Sequence, residues 1–135
     1  MHYFDVLIIG SGLAGQSAAL RLADHCRVAL VAKTSLEESA SSRAQGGIAA
    51  VIDLQDSTEA HINDTLVAGA YLNDLKTTRH VVEHSRRAIE WLIERGVPFT
   101  RDDSGYHLTR EGGHSARRVI HVADATGLAV QEILT

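Results

Sequence analysis

The apolar run Val6-Leu-Ile-Ile ends in Gly10, and glycine recurs at 12 and 15 before an Ala/Leu-rich stretch begins. This G-x-G-x-x-G spacing follows a β-branched strand pattern and opens a helical one, which constrains the fold more than any other feature of the chain. Gly10 permits the tight turn off the strand. Gly12 removes a side chain where the backbone must approach a pyrophosphate, and Gly15 lets the new helix pack close to the sheet. Ser11, Leu13 and Ala14 complete the loop, and the helix start offers free N–H groups and a positive dipole end to an anion. The feature points to a dinucleotide site. The competing reading is a glycine-rich strand-to-helix turn with no ligand.

A strand over 4–9, a helix over 13–25 and a second strand over 27–32 make a βαβ unit. That pattern implies an α/β, Rossmann-like fold with a buried parallel sheet and flanking helices. Residues 33–45 are rich in Ser and Glu, carry neither period and read as a loop. The stretch 46–53 returns to an extended, buried pattern, and 56–59 brings acidic residues into the first turn of a helix expected to reach about residue 71. Asn73 or Asp74 caps the next helix, which should run to Arg95 and stop at Gly96, with Pro98 just beyond. A turn at 101–105 and a strand over 117–122 follow. Asp124 reads as the cap of a last helix with Thr126 in its first turn. That helix is still running at residue 135, so the domain reads as incomplete.

A formal net charge of −4 argues against a nucleic-acid partner. No apolar run approaches the length of a membrane span, and no basic leader precedes the first strand, so a cytoplasmic protein without a membrane partner is expected. The single cysteine, Cys26, excludes an internal disulfide framework and reads as a small buried hydrophobe. No metal site is expected. His80 and His84 lack the glutamate of an H-E-x-x-H motif, and His107, His114 and His121, spaced by seven, match no compact zinc signature. Arg86 and Arg87 read as a solvated helix face.

Where a nicotinamide dinucleotide site usually carries an acidic residue, at the end of the second strand, this chain has Ala32 followed by Lys33. The missing carboxylate speaks against a standard NAD site and leaves room for a flavin site in which Lys33 serves the ribose side. The string Ser42-Arg-Ala-Gln-Gly-Gly-Ile-Ala-Ala-Val51 resembles the second flavin-binding segment of the succinate dehydrogenase/fumarate reductase flavoprotein superfamily. Tyr106-His-Leu-Thr-Arg-Glu-Gly-Gly-His-Ser115, with Arg117-Arg-Val-Ile-His-Val-Ala-Asp-Ala-Thr-Gly127 after it, is similar to the L-aspartate oxidase branch of that superfamily.

The resemblance implies FAD as cofactor, oxidation of L-aspartate to iminoaspartate with oxygen or fumarate as acceptor, and a place at the start of NAD synthesis, with quinolinate synthase acting next. Residues 1–135 would then form the N-terminal part of a discontinuous FAD-binding domain, and a fragment lacking the rest is expected to self-associate through its open sheet edge. Gly10, Ser11, Gly12, Leu13, Ala14 and Gly15 would hold the pyrophosphate. Ala40, Ser41, Ser42, Arg43, Ala44, Gln45, Gly46 and Gly47 would run past the flavin ring. Membrane-bound relatives carry a flavin-linking histidine five residues before the Gln of Ala-Gln-Gly-Gly; here that residue is Ala40, so FAD is expected to be non-covalent. Glu111 is the candidate contact for the substrate ammonium, with a surface glutamate beside Arg110 as the competing reading. The alternative functions are a soluble fumarate reductase or succinate-oxidising flavoprotein, and a non-catalytic nucleotide-binding module.

Overall fold

Strand β1 (Val6–Ile9) pairs in parallel with β2 (Val28–Val31), in a register running from Val6↔Val28 to Ile9↔Val31. Helix α1 (Leu13–Leu22) connects them. The computed structural model describes residues 1–135. It divides into two units, Met1–Gly46 with Asp124–Thr135, and Gly47–Ala123.

In the first unit both strands are shorter than expected. The pair starts where the Asp5 carboxylate accepts the Arg27 N–H at 2.9 Å and the Asp5 and Val6 amides both donate to the Arg27 carbonyl. The strand expected to be buried is half-buried on one side, at Val6 and Ile8, and open on the other: Leu7 is 60% exposed and Ile9 83%, because α1 packs on one face of the pair. Helix α1 stops at Leu22 rather than 25, since the His25 and Cys26 amides both fold back onto the Leu22 carbonyl. The segment read as a plain loop holds a 3₁₀ turn at Ser41–Arg43.

Helix α4 (Thr126–Leu134) packs on that turn. The Gly127 N–H donates to the Ala44 carbonyl at 2.9 Å, and a Cβ on Gly127 would collide with the Ser41 carbonyl oxygen. This corrects the expected cap. The cap position falls on Ala125, with no side-chain hydrogen bond, and Asp124 lies in the turn ahead of it. An orphan N–H of the first turn takes its acceptor from the neighbouring loop instead.

The second unit holds a three-stranded antiparallel sheet in the order β3 (Ile48–Ala49), β7 (Val119–Ile120), β6 (Leu108–Thr109). The expected extended segments 46–53 and 117–122 are thus real but reduced to two paired residues each. Helix α2 (Thr58–Ala68) is capped by Ser57, whose Oγ accepts the Ala60 N–H at 3.1 Å. It ends before 71 in a Schellman arrangement: the Tyr71 N–H donates to the Leu66 carbonyl and the Ala70 N–H to that of Val67, with Ala70 at φ +49. Asp74 caps α3 (Leu75–Glu94) by accepting the Thr77 N–H at 2.7 Å. That helix closes in the same way, with Gly96 at φ +96 in the left-handed position. Thr78, Val82, Ile89 and Leu92 form its inward face, and Ile62, Val97 and Phe99 are buried in the same unit. The expected turn at 101–105 is the tip of a hairpin, β4 (Arg101–Asp102) against β5 (Gly105–Tyr106). No helix is long and apolar enough to cross a membrane.

Candidate functional site

In the first unit β1 delivers the chain to Gly10, which turns at φ +114, a conformation that a residue with a Cβ rarely adopts. Gly15 is required by proximity, because a Cβ there would collide with the Gly10 carbonyl oxygen. Gly12 is the cap residue of α1 and supplies no side chain to it. The Ser41 hydroxyl reaches across instead and accepts the Leu13 N–H at 3.3 Å. A Cβ on Gly12 would sit 3.3 Å from that same oxygen, so a side chain at residue 12 would crowd the Ser41 hydroxyl at the helix start. A strand, a left-handed glycine and a helix start free of acidic residues fit the phosphate of a dinucleotide.

The other residues expected at this site fall in three groups. Ser11 is buried, Leu13 half-buried and Ala14 exposed. Lys33 is exposed two residues beyond the end of β2. Ser41 and Ser42 are half-buried in the 3₁₀ turn, while Ala40, Arg43, Ala44, Gln45 and Gly46 are exposed, and Arg43 pairs with Glu38 at 3.9 Å. Gly47 has a reason of its own within the second unit: a Cβ there would collide with the Ile120 carbonyl oxygen and the Val119 side chain.

In the second unit Glu111 is exposed at the end of β6, where its carboxylate accepts the Thr109 hydroxyl at 2.8 Å. An open polar concavity of about 690 Å³ is lined by Thr109, Arg110, Ser115, Ala116 and Arg117. Behind this loop lies a buried ionic cluster that sequence reasoning missed. Arg118 is 0% exposed; its Nε and Nη2 donate to the two Asp56 oxygens at 2.8 Å each, and its Nη1 donates to Asp64. Asp64 also accepts the Ser115 N–H and hydroxyl, each at 2.7 Å, and so ties the Gly112-Gly113-His114-Ser115 turn to α2.

The electrostatics follow from those contacts. The Arg118 guanidinium holds the Asp56 carboxyl below its usual value against the cost of burial. For Asp64, burial pushes upward, but the Ser115 amide, the Ser115 hydroxyl and Arg118 together lower the carboxyl to about 2. Burial, then the charges of Arg118 and His114, keep the His61 imidazole below its ordinary value. His114 Nδ1 lies 3.2 Å from Arg118, and the structure separates it from the pair His107–His121, whose Nδ1 and Nε2 approach to 2.9 Å. Asp56, read as part of the acidic first turn of α2, is thus a partner of Arg118.

Gln131 was also missed. It is 0% exposed, and its amide bonds to the Ser11 carbonyl of the glycine turn and to the Leu36 carbonyl and Ser39 hydroxyl of the loop before the 3₁₀ turn. The available signal was a polar residue on an apolar helix stripe, for Gln131, and a charged residue entering a buried strand, for Arg118.

Comparison with known proteins sets this geometry in a family. The model of the FAD-binding domain family matches residues 5–135. L-aspartate oxidase 1 of Ralstonia nicotianae is 62% identical over 130 residues, covering 94% of this chain and 24% of that protein. L-aspartate oxidase of Pseudomonas aeruginosa is 56% identical over 138 residues, covering 96% of this chain and 26% of that protein. The chain therefore spans about a quarter of the length of these relatives. Among solved structures, the Sdh1 complex of Mycobacterium smegmatis aligns with a TM-score of 0.92 at 31% identity, over 98% of this chain and 23% of that one. A quinol fumarate reductase of E. coli aligns with a TM-score of 0.92 at 32% identity, over 97% and 23%. A glycine turn of this geometry and a match running from residue 5 to residue 135 lead to one statement: the chain belongs to the FAD-binding domain family, with L-aspartate oxidases among its close relatives.

Proposed function

We propose that this chain is part of an FAD-dependent enzyme that oxidises L-aspartate to iminoaspartate, with oxygen or fumarate as the final acceptor, at the start of NAD synthesis. The carrying observation is the strand–glycine–helix turn, in which Gly10 stands at φ +114, Gly12 leaves the helix start bare and Ser41 closes one side. Identity of 62% to an L-aspartate oxidase supports the choice of substrate. Residues 1–135 form the N-terminal part of a discontinuous FAD-binding domain in this reading.

Bound FAD supplies the acceptor for the hydride that leaves Cα of the substrate. Gly10, Ser11, Gly12, Leu13, Ala14 and Gly15 hold its pyrophosphate through backbone N–H groups at the start of α1. Lys33 serves the ribose side, and the 40–47 segment runs past the ring. Ala40 offers no imidazole, so the cofactor is held without a covalent bond. Glu111, oriented by the Thr109 hydroxyl, accepts the α-ammonium of aspartate. Arg110 and Arg117, which line the neighbouring concavity, suit a dicarboxylate.

A fumarate-reducing or succinate-oxidising flavoprotein is the second reading, favoured by the TM-score of 0.92 to the quinol fumarate reductase. Ala40 and the Leu108-Thr-Arg-Glu111 string stand against it. We further propose a cytoplasmic location, delivery of iminoaspartate to quinolinate synthase, and self-association of the chain through the exposed Leu7 and Ile9 side of β1. The test is anaerobic mixing of the flavin-loaded, full-length protein with L-aspartate or succinate. Bleaching of the oxidised flavin by aspartate alone is expected, and bleaching by succinate alone would overturn the reading in favour of the second.

A further inference from the structure

Three hydrogen bonds converge on one side chain from positions far apart in sequence. Gln131 Nε2 donates to the carbonyl oxygens of Ser11 and Leu36, both at 2.8 Å, and its Oε1 accepts the Ser39 hydroxyl at 2.9 Å. Ser11 belongs to the glycine turn, and Leu36 and Ser39 belong to the loop leading into the 3₁₀ turn. The Ser39 hydroxyl also accepts the Ser42 N–H at 3.2 Å, while the Ser42 hydroxyl donates back to the Ser39 carbonyl at 2.8 Å. Ser42 is the centre of the turn whose Ser41 hydroxyl receives the Leu13 N–H at the start of α1. One fully buried amide thus ties the two loops together, and a serine relay carries the constraint to the helix start.

We infer that Gln131 is a positioning residue for the cofactor cradle: it fixes the glycine turn and the 36–42 loop in one relative geometry before any ligand arrives. The inference rests on the proposal that these loops bind FAD. Its logic is chemical. Two loop carbonyls and one hydroxyl donor meet at a point that is 0% exposed, so water cannot satisfy them. A neutral primary amide provides two N–H donors and a carbonyl acceptor; glutamate lacks the donors, and methionine lacks both. All three distances lie in the range of well-formed hydrogen bonds. The position is held in turn by α4: the Gly127 N–H bonds Ala44 at the far end of the 3₁₀ turn, and the Thr135 hydroxyl bonds the Gln131 carbonyl and receives Gln16 Nε2 from α1. Without the amide, the cradle's two loops would each sample other positions, and ligand binding would have to reorder them.

The test replaces Gln131 by methionine, which keeps the length and volume but removes the three bonds, in the full-length protein. The readout is the dissociation constant for FAD, followed by quenching of flavin fluorescence at a temperature where the apoproteins are fully folded. An increase of roughly tenfold to a hundredfold is expected from the lost bonds and the stranded carbonyls. Faster native-state hydrogen exchange is expected in residues 11–12 and 36–42 and nowhere else. A merely structural glutamine would lower the melting temperature and leave the FAD dissociation constant within twofold, which would overturn the inference. Ser39→Ala, which removes a single arm, should raise the constant several-fold; if Gln131→Met does not fold, an unchanged constant in Ser39→Ala overturns the inference instead. Gly12→Val separates the two levels. Retained flavin in Gly12→Val refutes the cradle and this role together. Lost flavin in Gly12→Val with normal affinity in Gln131→Met refutes the positioning role alone.

Discussion

Replacing Asp64 by asparagine removes one negative charge from the buried cluster while keeping an acceptor for Ser115. The magnitude can be worked in two ways. The carboxyl sits at about 2, against an ordinary value of 3.8, because the Ser115 N–H and hydroxyl and Arg118 outweigh the opposing effect of burial. At about 1.4 kcal/mol per unit, that difference corresponds to roughly 2 kcal/mol of stability at neutral pH. The side chain is only 12% exposed, so little of this is lost to solvent screening. A single hydrogen bond to a charged group is worth about 1.5–3 kcal/mol, and because asparagine keeps an acceptor for the two Ser115 donors, the loss expected from the Arg118 contact alone is of the same order. Arg118 remains paired with both oxygens of Asp56, so the larger penalty of an isolated buried cation does not arise.

The sign of the pH dependence follows from the lowered carboxyl. Its stabilising contribution is complete above about pH 4, the unfolded value, and is lost as pH falls through about 2. Asparagine does not titrate. The gap between the parent protein and Asp64→Asn should therefore be about 2 kcal/mol at pH 7 and should close between roughly pH 4 and pH 2. The assay is urea unfolding at a series of pH values, read by hydrogen exchange at α2 and at the Ser115 amide, which reports the second unit separately. A gap that stays constant across that range, or one below about 0.5 kcal/mol at pH 7, would refute the account of Asp64 as the ionised clamp of the 112–115 turn.

Gly12→Val should empty the protein of flavin while leaving its far-ultraviolet spectrum intact, because the new side chain crowds the Ser41 hydroxyl 3.3 Å from its Cβ; an unchanged flavin-to-protein ratio would place the phosphate elsewhere. Acid or heat should release intact FAD, since Ala40 has no group to bond it; flavin fluorescence that stays with the denatured chain on a gel would contradict this. Glu111→Gln should reduce kcat/KM for aspartate by about ten- to a hundredfold and spare fumarate reduction, because only aspartate carries an ammonium; equal losses in both reactions would assign Glu111 a structural role.

The βαβ start of the fold was legible because its signals are local. A β-branched run, three glycines at fixed offsets and a helical period all lie within 31 residues, and the parallel pairing of β1 with β2 follows from them. Cap residues were read well where a side chain does the capping, as at Asp74. They were misread where tertiary contacts intervene. At α4 the loop carbonyl of Ala44 replaces the expected Asp124, and Asp56, read only as an acidic residue of the first turn of α2, pairs with Arg118 instead. The short antiparallel sheet was only half visible, because two-residue strands are too short to show an alternating period. Gly47 shows how one residue can fit two explanations: the string around it suggested a close approach to a flat ring, and the structure supplies a close approach to Ile120.

What sequence pattern cannot supply is the identity of a distant polar partner. Gln131 and Ser11 are 120 positions apart, and Arg118 and Asp56 are 62 apart, so no window long enough to reveal a period contains both members. Each pair nonetheless leaves a local mark. The buried face of α4 is Thr126, Gly127, Val130, Gln131 and Leu134, and an amide in that stripe must find acceptors or forfeit its place in an apolar layer. Arg118 precedes two residues of a fully buried strand, where a guanidinium is tolerated only with carboxylates brought to it. Such misplaced polar residues therefore mark where a fold is specified by particular contacts rather than by burial. In this chain both marks fall beside loops that the proposed function gives to ligands: Gln131 behind the glycine turn, and Arg118 behind the turn that follows Glu111. Rigidity is needed most where backbone groups must meet a ligand in a fixed geometry, and a buried hydrogen-bond network supplies it more selectively than apolar packing does.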